Sequence, residues 1–353
     1  MSETSEATRE PVSYFIEEME YHGKSERTLA AYERTLRRFE RFLESERCPS
    51  PGVDTGRAGR RECMAWVHAL RDDLAASSVA TYASYLHRFY DYMVRVDAFE
   101  ENPMALVREE MDETVEADPT RREVTIPDMR ELVAGVGHPL DRALVVTLLK
   151  TGVRVGELCN LDLRDLNLSV VNSFGVDPRP AVEERPQSLY VNGAIDRGAV
   201  VNDEERTAAN KRRRSTVVPV DEELETTLTR WLAVRPDPRS SAEPLFCSTR
   251  EWGRRVTPAM VRRTVREHAR ERGWYREGAG SDENVTPHYF RHFFTTHLRD
   301  RTGDRGVVKY LRGDVASDII DTYTHEWGNR VRDAYEENIY SILEESARSP
   351  PDR

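Results

Sequence analysis

The sequence predicts a mostly α-helical protein with a small β-sheet, organised as a helical N-terminal domain followed by a mixed α/β domain. The chain has 353 residues, which is enough for two domains at roughly 100–200 residues each. In the N-terminal part, apolar side chains recur at steps of three and four, which places them on one face of a helix. Two short runs rich in branched and aromatic residues, 189–191 and 216–220, predict strands in the second half.

The N-terminal helices are predicted from two regular apolar stripes. Ser25 is suited to cap the first stripe, because a serine side chain can accept a hydrogen bond from the first turn of a helix. A shorter helix is expected at 60–74, and Ser77 or Ser78 is expected to cap the second stripe. The two stripes are Leu29, Tyr32, Leu36, Phe39 and Leu43, and then Val79, Tyr82, Leu86, Phe89, Met93 and Val96.

Composition along the chain predicts the domain bounds. We expect a flexible start at residues 1–9 and a helical domain at 10–106. Residues 107–123 are acidic and lack an apolar period, which is typical of a linker. The second domain is assigned to 124–347 and ends in a helix at 331–345, whose apolar face could dock on a neighbouring protomer or pack on its own domain. Other helices of this domain are predicted at 140–150, 221–234, 258–272 and 287–299.

The chain is acidic, with 52 Lys+Arg against 63 Asp+Glu and a formal net charge of -11. That balance argues against a nucleic-acid partner. No apolar run approaches the roughly 18 residues of a membrane span, and the N-terminus lacks the basic and apolar segments of a signal peptide. The four cysteines are scattered without a CxxC pair, which excludes a cysteine zinc module and is typical of a reducing cytoplasm. We therefore expect a cytoplasmic protein.

Two motifs in the middle of the chain could carry chemistry. In TGVRVGEL, residues 151–158, Arg154 and Glu157 lie three apart and share one helical face, as an ordinary surface ion pair also would. Lys211 opens the basic run KRRR and is one of only four lysines. A site that donates a proton would need lysine there, because arginine effectively cannot lose its proton.

Two further motifs lie near the C-terminus. His288 and His292 have the i,i+4 spacing of zinc ligands, but Tyr289 stands where the metalloprotease motif has glutamate, so we expect no metal. His288 and Arg291 could instead face an anion together. Asp314 is followed nine residues later by Tyr323.

Taken in order, the motifs TGxR, Lys, HxxR and Tyr resemble those of the tyrosine recombinase, or phage integrase, family over roughly residues 10–345. In that family a helical, SAM-like core-binding domain precedes a mixed α/β catalytic domain, and the two clamp DNA. The resemblance implies that Glu157 is a supporting acid. The catalytic residues that it implies are Arg154, Lys211, His288, Arg291 and Tyr323.

The resemblance also implies a reaction. Arg154 and Arg291 would bind a DNA phosphate, and Tyr323 would attack it to form a 3′-phosphotyrosyl bond. Lys211 would protonate the departing 5′-oxygen, and His288 would add a hydrogen bond or help to deprotonate the phenol. Neither metal, ATP nor another cofactor is implied. The implied partners are double-stranded DNA with specific recombination sites and further copies of the chain, in a synaptic homotetramer.

Basic side chains that lie off the apolar stripes or in the KRRR run are the expected DNA contacts. They are Arg27, Arg34, Arg38, Arg88, Arg212, Arg213 and Arg214.

Two features depart from the family pattern. Asp314 stands where the family has His or Trp, and a carboxylate repels a phosphate. We therefore expect Asp314 to orient Arg154 or Arg291. The segment before Lys211 is longer than the family's short hairpin and is expected to be a polar surface excursion.

Several alternatives remain open at the level of sequence. A site-specific recombinase could be the integrase of a mobile element or a chromosome-dimer-resolving enzyme. A type IB topoisomerase has a similar site, and Asp314 also permits a DNA-binding homologue with weakened catalysis. A zinc hydrolase rests only on His288 and His292.

The acidic charge has an explanation that is compatible with a DNA partner. Excess Asp and Glu with few Lys is typical of proteins that work in molar salt, where the Debye length is roughly 3 Å. There the net charge hardly repels DNA beyond contact range. The sequence thus predicts a halophilic, cytoplasmic and nucleoid-associated protein.

Overall fold

The computed structural model describes residues 9–113, 121–314 and 327–343. The chain divides into two compact units, residues 1–119 and 120–353, each with its own hydrophobic core. In the part that is described, the first unit is helical, whereas the second combines helices with two small sheets. The expected fold class, mostly α with a small β-sheet, is confirmed.

Five helices form the described part of the N-terminal unit. Ser25 caps the second of them as predicted, because its side chain accepts a hydrogen bond from the backbone N–H of Thr28. The helices are α1 Pro11–Tyr21, α2 Glu26–Leu43, α3 Arg60–Arg71, α4 Ala76–Arg95 and α5 Met104–Glu110.

Aromatic rings fill the centre of this unit. Phe15 of α1 packs edge-on against Phe89 of α4 with ring centroids 5.5 Å apart, and Phe39 of α2 packs edge-on against Trp66 of α3 at 5.2 Å. All four rings are buried. Because T-shaped pairs have a specific geometry, these contacts fix how the helices cross in addition to burying apolar surface.

Two predicted boundaries in this unit are wrong. Helix α4 begins at Ala76 with Ala75 at the N-cap, so Ser77 and Ser78 lie inside its first turn and do not cap it. The predicted linker includes the end of α5, where Val107 is buried in the core. The acidic residues that follow Val107 are exposed. The helix was missed because its apolar face is narrow and these charged residues follow it.

Nine helices and five strands make up the described part of the C-terminal unit. Helices α9 and α13 were not anticipated from the sequence, and both are short. The helices are α6 Ile126–Gly135, α7 Pro139–Thr151, α8 Val155–Cys159, α9 Pro180–Glu183, α10 Glu222–Leu232, α11 Pro258–Glu271, α12 Pro287–Thr302, α13 Arg305–Arg312 and α14 Trp327–Asn338. The strands are β1 Leu166–Asn167, β2 Ser188–Val191, β3 Val200–Val201, β4 Glu204–Glu205 and β5 Thr216–Pro219.

The larger sheet has the order β1-β2-β5 and is antiparallel throughout. Leu189 pairs with Val218 in the centre of this sheet. The connection from β2 to β5 contains the β3–β4 hairpin, whose turn residues Asn202 and Asp203 both have positive φ, as a tight hairpin turn requires.

This connection is not the surface excursion that its polarity predicted. Arg206 is fully buried, and its guanidinium donates two hydrogen bonds to Asp162, at 3.0 and 2.7 Å. Arg255 approaches the same carboxylate at 2.6 Å and also binds Glu204 of β4. Buried ion pairs therefore tie the connection to the body of the unit, and polar composition alone could not distinguish them from solvated charges.

Helix α7 is the buried centre of this unit, with every residue from 143 to 151 inside the core. It ends at Gly152, whose φ of 60° lies in the left-handed region. A Cβ atom at this position would lie 2.3 Å from the ring of Phe294 in α12. Glycine is therefore required here both to end the helix and to let the chain pass the aromatic ring.

The C-terminal helix differs from the predicted one at both ends. Helix α14 begins at Trp327 and ends at Asn338, and residues 339–343 are not helical. The backbone N–H groups of Ile342 and Leu343 donate to the Glu223 carboxylate, so a side chain supplies the acceptors that another helical turn would have offered. Tyr340 is fully buried in the core of its own unit.

A buried lysine holds this C-terminal segment in place. The Lys150 ammonium is 1% exposed and lies 2.6 Å from carboxylate oxygens of both Asp221 and Glu223. It also donates a hydrogen bond to the backbone oxygen of Tyr340 at 2.6 Å. Partial burial alone would raise the pKa of Glu223, but the charge of Lys150 and the hydrogen bonds from Ile342, Lys150 and Ser341 together lower that pKa. As far as residue 343, the segment therefore packs on its own unit.

No helix within residues 9–113, 121–314 and 327–343 is both long enough and apolar enough to cross a membrane.

Candidate active site

Arg154 stands at the N-cap of α8, where Glu157 holds it in two ways. The Glu157 Oε2 atom accepts the backbone N–H of Arg154 at 2.8 Å, and Oε1 accepts its guanidinium at 3.0 Å. Glu157 itself has no solvent exposure. The pair is therefore not an ordinary surface ion pair, since a buried carboxylate fixes both the main chain and the side chain of the arginine.

Arg291, on the first turns of α12, lies in the same region. Its guanidinium donates to the backbone oxygen of Gly152 at 2.6 Å and to that of Arg312 at 2.9 Å. Burial, followed by the charge of Arg154, lowers the pKa of Arg291 to about 10. The group therefore remains positively charged at neutral pH.

Asp314 lies between the guanidinium groups. It is 2.7 Å from Arg154, 3.0 Å from Arg291 and 2.8 Å from Arg312. Partial burial would raise the pKa of Asp314, but the charges of Arg291, Arg154 and Arg312 hold it below its ordinary value. The carboxylate thus bonds both of the arginines that it was expected to orient, and Arg312 as well.

His288 precedes Arg291 by one helical turn and is exposed. Partial desolvation of its ring, together with the charges of Arg121, Arg291, Arg154 and Arg312, lowers the pKa of His288. The imidazole is therefore neutral at pH 7, so that one ring nitrogen is an acceptor and the other a donor. His292, its proposed partner in a zinc site, instead packs near Tyr289 with ring centroids 6.1 Å apart.

Lys211 lies in the coil just before β5, and its side chain is exposed. Among the described residues it forms no hydrogen bond or ion pair. Its neighbours Asn210 and Arg212 are both buried. Lys211 is therefore an exposed residue whose two neighbours in the chain are both buried.

Arg212 corrects the expected set of DNA contacts. Its side chain is fully buried and binds the Glu157 carboxylate at 3.4 Å and the backbone oxygen of Leu311 at 3.1 Å. Its hydrocarbon part packs against Gly313, where an added Cβ would lie 2.3 Å from the Arg212 Cγ atom. Arg212 cannot contact DNA from this position, because it forms part of the framework beneath Arg154.

The other arginines of that set have more accessible positions. Arg213 is exposed, and Arg214 is half-buried with its guanidinium 5.7 Å from the ring centroid of Tyr310. In the N-terminal unit, Arg27, Arg34 and Arg88 are exposed. Arg38 is half-buried and pairs with Asp73 at 2.9 Å.

Tyr323, the expected nucleophile, lies outside the residues that the structure describes. Two other tyrosines near the C-terminus, Tyr335 and Tyr340, are fully buried, and their hydroxyl groups donate to the backbone oxygens of Lys150 and Leu149. Burial raises the pKa of both phenols well above the ordinary value. Neither can reach a DNA phosphate in this conformation.

No sequence motif pointed to Arg312, Asn160 or Asn210, although all three lie next to residues of the site. Arg312 and Asp314 flank Gly313, the residue that ends α13. The turn at this glycine could therefore have predicted that the two side chains lie close together. Asn160 and Asn210 are far apart in sequence, and only the folded chain brings them together.

Taken together, four guanidinium groups and two carboxylates converge here, which leaves an excess of positive charge. Such a cluster binds an anion through charge-assisted hydrogen bonds. The neutral His288 imidazole and the Lys211 segment complete the described part of the site.

Comparison with protein families gives two matches. Residues 194–330 match the model of the phage integrase family, and residues 12–96 match the model of the phage integrase N-terminal SAM-like domain. The tyrosine recombinase XerC of Pelobacter propionicus is 25% identical over 344 residues, which cover 93% of this chain and 95% of the relative. XerD of Pseudomonas aeruginosa is 26% identical over 323 residues, which cover 89% and 91%.

Solved structures share the fold. The Tn1549 transposon integrase in complex with circular intermediate DNA has a TM-score of 0.61 at 17% identity, over 92% of this chain and 99% of that one. A lambda integrase dimer bound to a core site has a TM-score of 0.59 at 16% identity, over 88% and 95%. A lambda integrase tetramer bound to a Holliday junction has a TM-score of 0.60 at 16% identity, over 87% and 77%.

The different burial of neighbouring arginines gives a test. We expect Arg212→Met to lower the free energy of unfolding by about 3 kcal/mol, because it leaves the buried Glu157 carboxylate with one cation fewer. The matched change Arg213→Met, at an exposed position, should cost less than about 0.5 kcal/mol. Urea unfolding followed by circular dichroism measures both. Equal losses for the two variants would contradict the framework role of Arg212.

Proposed function

This chain belongs to the phage integrase family of tyrosine recombinases, and on that premise we propose that its arginine cluster binds the DNA phosphate at which strands are exchanged. The protein is a site-specific DNA recombinase, an enzyme that breaks and rejoins DNA strands. The observation that carries the assignment of its site is the convergence of Arg154 and Arg291 on one region, where both guanidinium groups bind Asp314.

The chemistry proposed for the site follows from charge. A phosphodiester carries one negative charge, and an attacking phenolate adds another in the pentavalent transition state. The guanidinium groups of Arg154 and Arg291 would bind the non-bridging oxygens and stabilise that charge. Tyr323 would form the 3′-phosphotyrosyl bond, and Lys211 would give its proton to the 5′-oxygen as the phosphorus–oxygen bond breaks. In the reverse step the same amine would take a proton from the attacking 5′-hydroxyl.

His288 would assist at the phosphate. Its lowered pKa favours the neutral ring, which can accept the phenol proton from Tyr323 through one nitrogen. The other nitrogen could donate a hydrogen bond to a non-bridging oxygen. Desolvation of the ring, together with the positive charges around it, lowers the pKa and so favours this neutral form.

Asp314 would act as an organiser of the arginines. Its contacts to Arg154, Arg291 and Arg312 hold three like charges close together while DNA is absent. This role supports an active recombinase over a DNA-binding homologue with weakened catalysis, because the carboxylate has a use that requires no direct contact with the phosphate.

The proposed partners are double-stranded DNA with specific recombination sites and further copies of the chain. Structural relatives are described as a dimer on a core site and as a tetramer on a Holliday junction. Residues 10–106 would form the core-binding domain, with Arg27, Arg34 and Arg88 available to DNA phosphates. An integrase and a chromosome-dimer-resolving enzyme both fit, and an attachment-site repeat beside the gene would favour the integrase.

The composition supports a location in the cytoplasm, at the nucleoid. It also supports adaptation to molar salt. All four cysteines are free and buried, as suits a reducing compartment. The net charge of -11 is compatible with DNA binding when salt screens it within roughly 3 Å. Binding would then depend on short-range arginine contacts and on shape.

The nucleophile is tested with a suicide substrate, a nicked duplex from which cleavage releases a fragment too short to be rejoined. Tyr323→Phe should reduce the covalent protein–DNA adduct to background and leave DNA affinity within about two-fold, because only the attacking hydroxyl is lost. Tyr21→Phe, at an exposed tyrosine of the other unit, is the matched control and should form adduct normally. Adduct that persists in Tyr323→Phe would refute the assignment.

The role of Asp314 is tested by comparing two alanine variants in the same cleavage reaction. Arg154→Ala should slow cleavage by about 10²–10³-fold, since it removes a donor to the transition-state charge. Asp314→Ala should slow it by about ten-fold, since the arginines keep their other partners. A complete loss of cleavage in Asp314→Ala would show that the carboxylate takes part in the reaction itself.

The salt adaptation is tested by titrating KCl to several molar. Folding, followed by circular dichroism, and DNA binding, followed by fluorescence anisotropy, should both survive, because the acidic surface is then screened. Folding and binding that are best at low salt would contradict the halophilic part of the proposal.

A further inference from the structure

The exposed Lys211 lies between two buried residues that are both tied to helix α8. Asn210 precedes it and is 8% exposed, whereas Arg212 follows it and is 5% exposed. The lysine is thus the outward-facing residue of a segment whose neighbouring side chains point into the protein.

Asn210 uses both ends of its side-chain amide. Its Oδ1 atom accepts a hydrogen bond from Asn160 at 2.8 Å, and its Nδ2 atom donates to the backbone oxygen of Asn192 at 2.7 Å. Its backbone N–H donates to the oxygen of Ile195, also at 2.7 Å. A buried residue with this many partners has one position, because any shift leaves polar groups without hydrogen bonds.

Asn160 is the C-cap residue of α8 and extends the contact along the chain. Its Nδ2 atom donates to the backbone oxygen of Ala208 at 2.8 Å as well as to Asn210. Within the same helix, Gly156 lies against Ala209, and a Cβ at Gly156 would be 2.4 Å from the Ala209 oxygen. The backbones of α8 and of residues 208–210 are therefore in direct contact.

Arg212 makes the corresponding contact on the other side of the lysine. Its guanidinium binds Glu157, the residue of α8 that also holds Arg154. The five residues of α8 and the two that flank it therefore set the positions of a phosphate-binding arginine and of the lysine segment together.

We propose that Asn160 and Asn210, with the close approach at Gly156, are positioning residues for Lys211. They fix the main chain of the lysine relative to Arg154, so that the ammonium reaches the 5′-oxygen of a phosphate bound by the arginines. The inference rests on the proposed function. It names the residues that hold Lys211 in place for proton donation although the β2–β5 connection is long.

Proton donation makes this positioning necessary. A general acid must come within roughly 2.6–3.2 Å of the atom that it protonates, and a misplacement of about 1 Å can cost about 10²-fold in rate. Lysine has a long flexible side chain, and here it lies in the coil between two strands. Without fixed neighbours, the ammonium would seldom be at the departing oxygen.

A sulfur-substituted substrate separates positioning of the acid from general damage to the fold. When the bridging 5′-oxygen is replaced by sulfur, the departing thiolate is stable without a proton, so the step no longer needs a general acid. The probes are two suicide duplexes that differ only in this atom. The variants are Asn210→Ala, the milder Asn160→Ser, Lys211→Ala and the control Thr207→Ala, at an exposed position of the same connection.

We expect Asn210→Ala and Asn160→Ser to slow cleavage of the normal duplex by about 10- to 100-fold. On the sulfur duplex both should stay within about three-fold of the unmodified protein, as should Lys211→Ala. Thr207→Ala should be unaffected on both. Should Asn210→Ala fail to fold, Asn160→Ser carries the test, because it keeps a small polar group at the buried position.

Two outcomes separate the inference from its premise. Equal losses of the asparagine variants on both duplexes, with Lys211→Ala restored by sulfur, would overturn the positioning role and leave the proposed function intact. A Lys211→Ala variant that cleaves the normal duplex at the full rate, or that sulfur does not restore, would instead overturn the assignment of Lys211 as the acid, and the positioning role with it.

Discussion

The carboxylate of Glu157 has no solvent exposure, and a charge in that position is destabilising unless other groups compensate it. The backbone N–H and guanidinium of Arg154 bind it from one side, and the buried guanidinium of Arg212 approaches it from the other. Removal of this one group would leave two arginines without a common anchor. The start of α8, the segment before β5 and the end of α13 all meet through these contacts, so the geometry of the whole site depends on one buried acid.

The same physical solution appears a second time in the C-terminal unit. Asp162 is buried, and two arginines, Arg206 and Arg255, bind it, while Glu204 balances the second of them. These ion pairs hold the β3–β4 hairpin against the rest of the unit. A two-stranded hairpin as short as this one would not be stable on its own. A chain with modest apolar content thus uses buried ion pairs to attach segments that elsewhere would need a larger core. Arginine suits this use, because its planar group can bind several oxygens while remaining charged.

The sequence was informative where a single local rule decides the structure. Apolar periodicity and the Ser25 cap predicted most helices nearly at their observed positions, and motif order identified the arginines that converge. It failed where burial is decided by contacts that are distant in the chain. In KRRR nothing distinguishes Arg212 from Arg213, because a coil has no period that tells which side chain points inward. The helix of α5 was missed for a related reason, since its apolar face was too narrow to detect. Tyr323 stays a prediction from its motif alone.

The anchoring of the C-terminal segment on Lys150 also bears on how the protein is made. The hydrogen bond from Lys150 to Tyr340 joins residues 190 positions apart, and the bond from Tyr340 to Leu149 spans 191. During synthesis, α7 leaves the ribosome long before the residues that cover it, and contacts of such high sequence separation form late. The core of the C-terminal unit can therefore close only after translation has passed residue 340, whereas the N-terminal unit, with all its described helices before residue 111, can fold while the rest is being made. A nascent chain would accordingly have a folded first unit well before its second unit was complete.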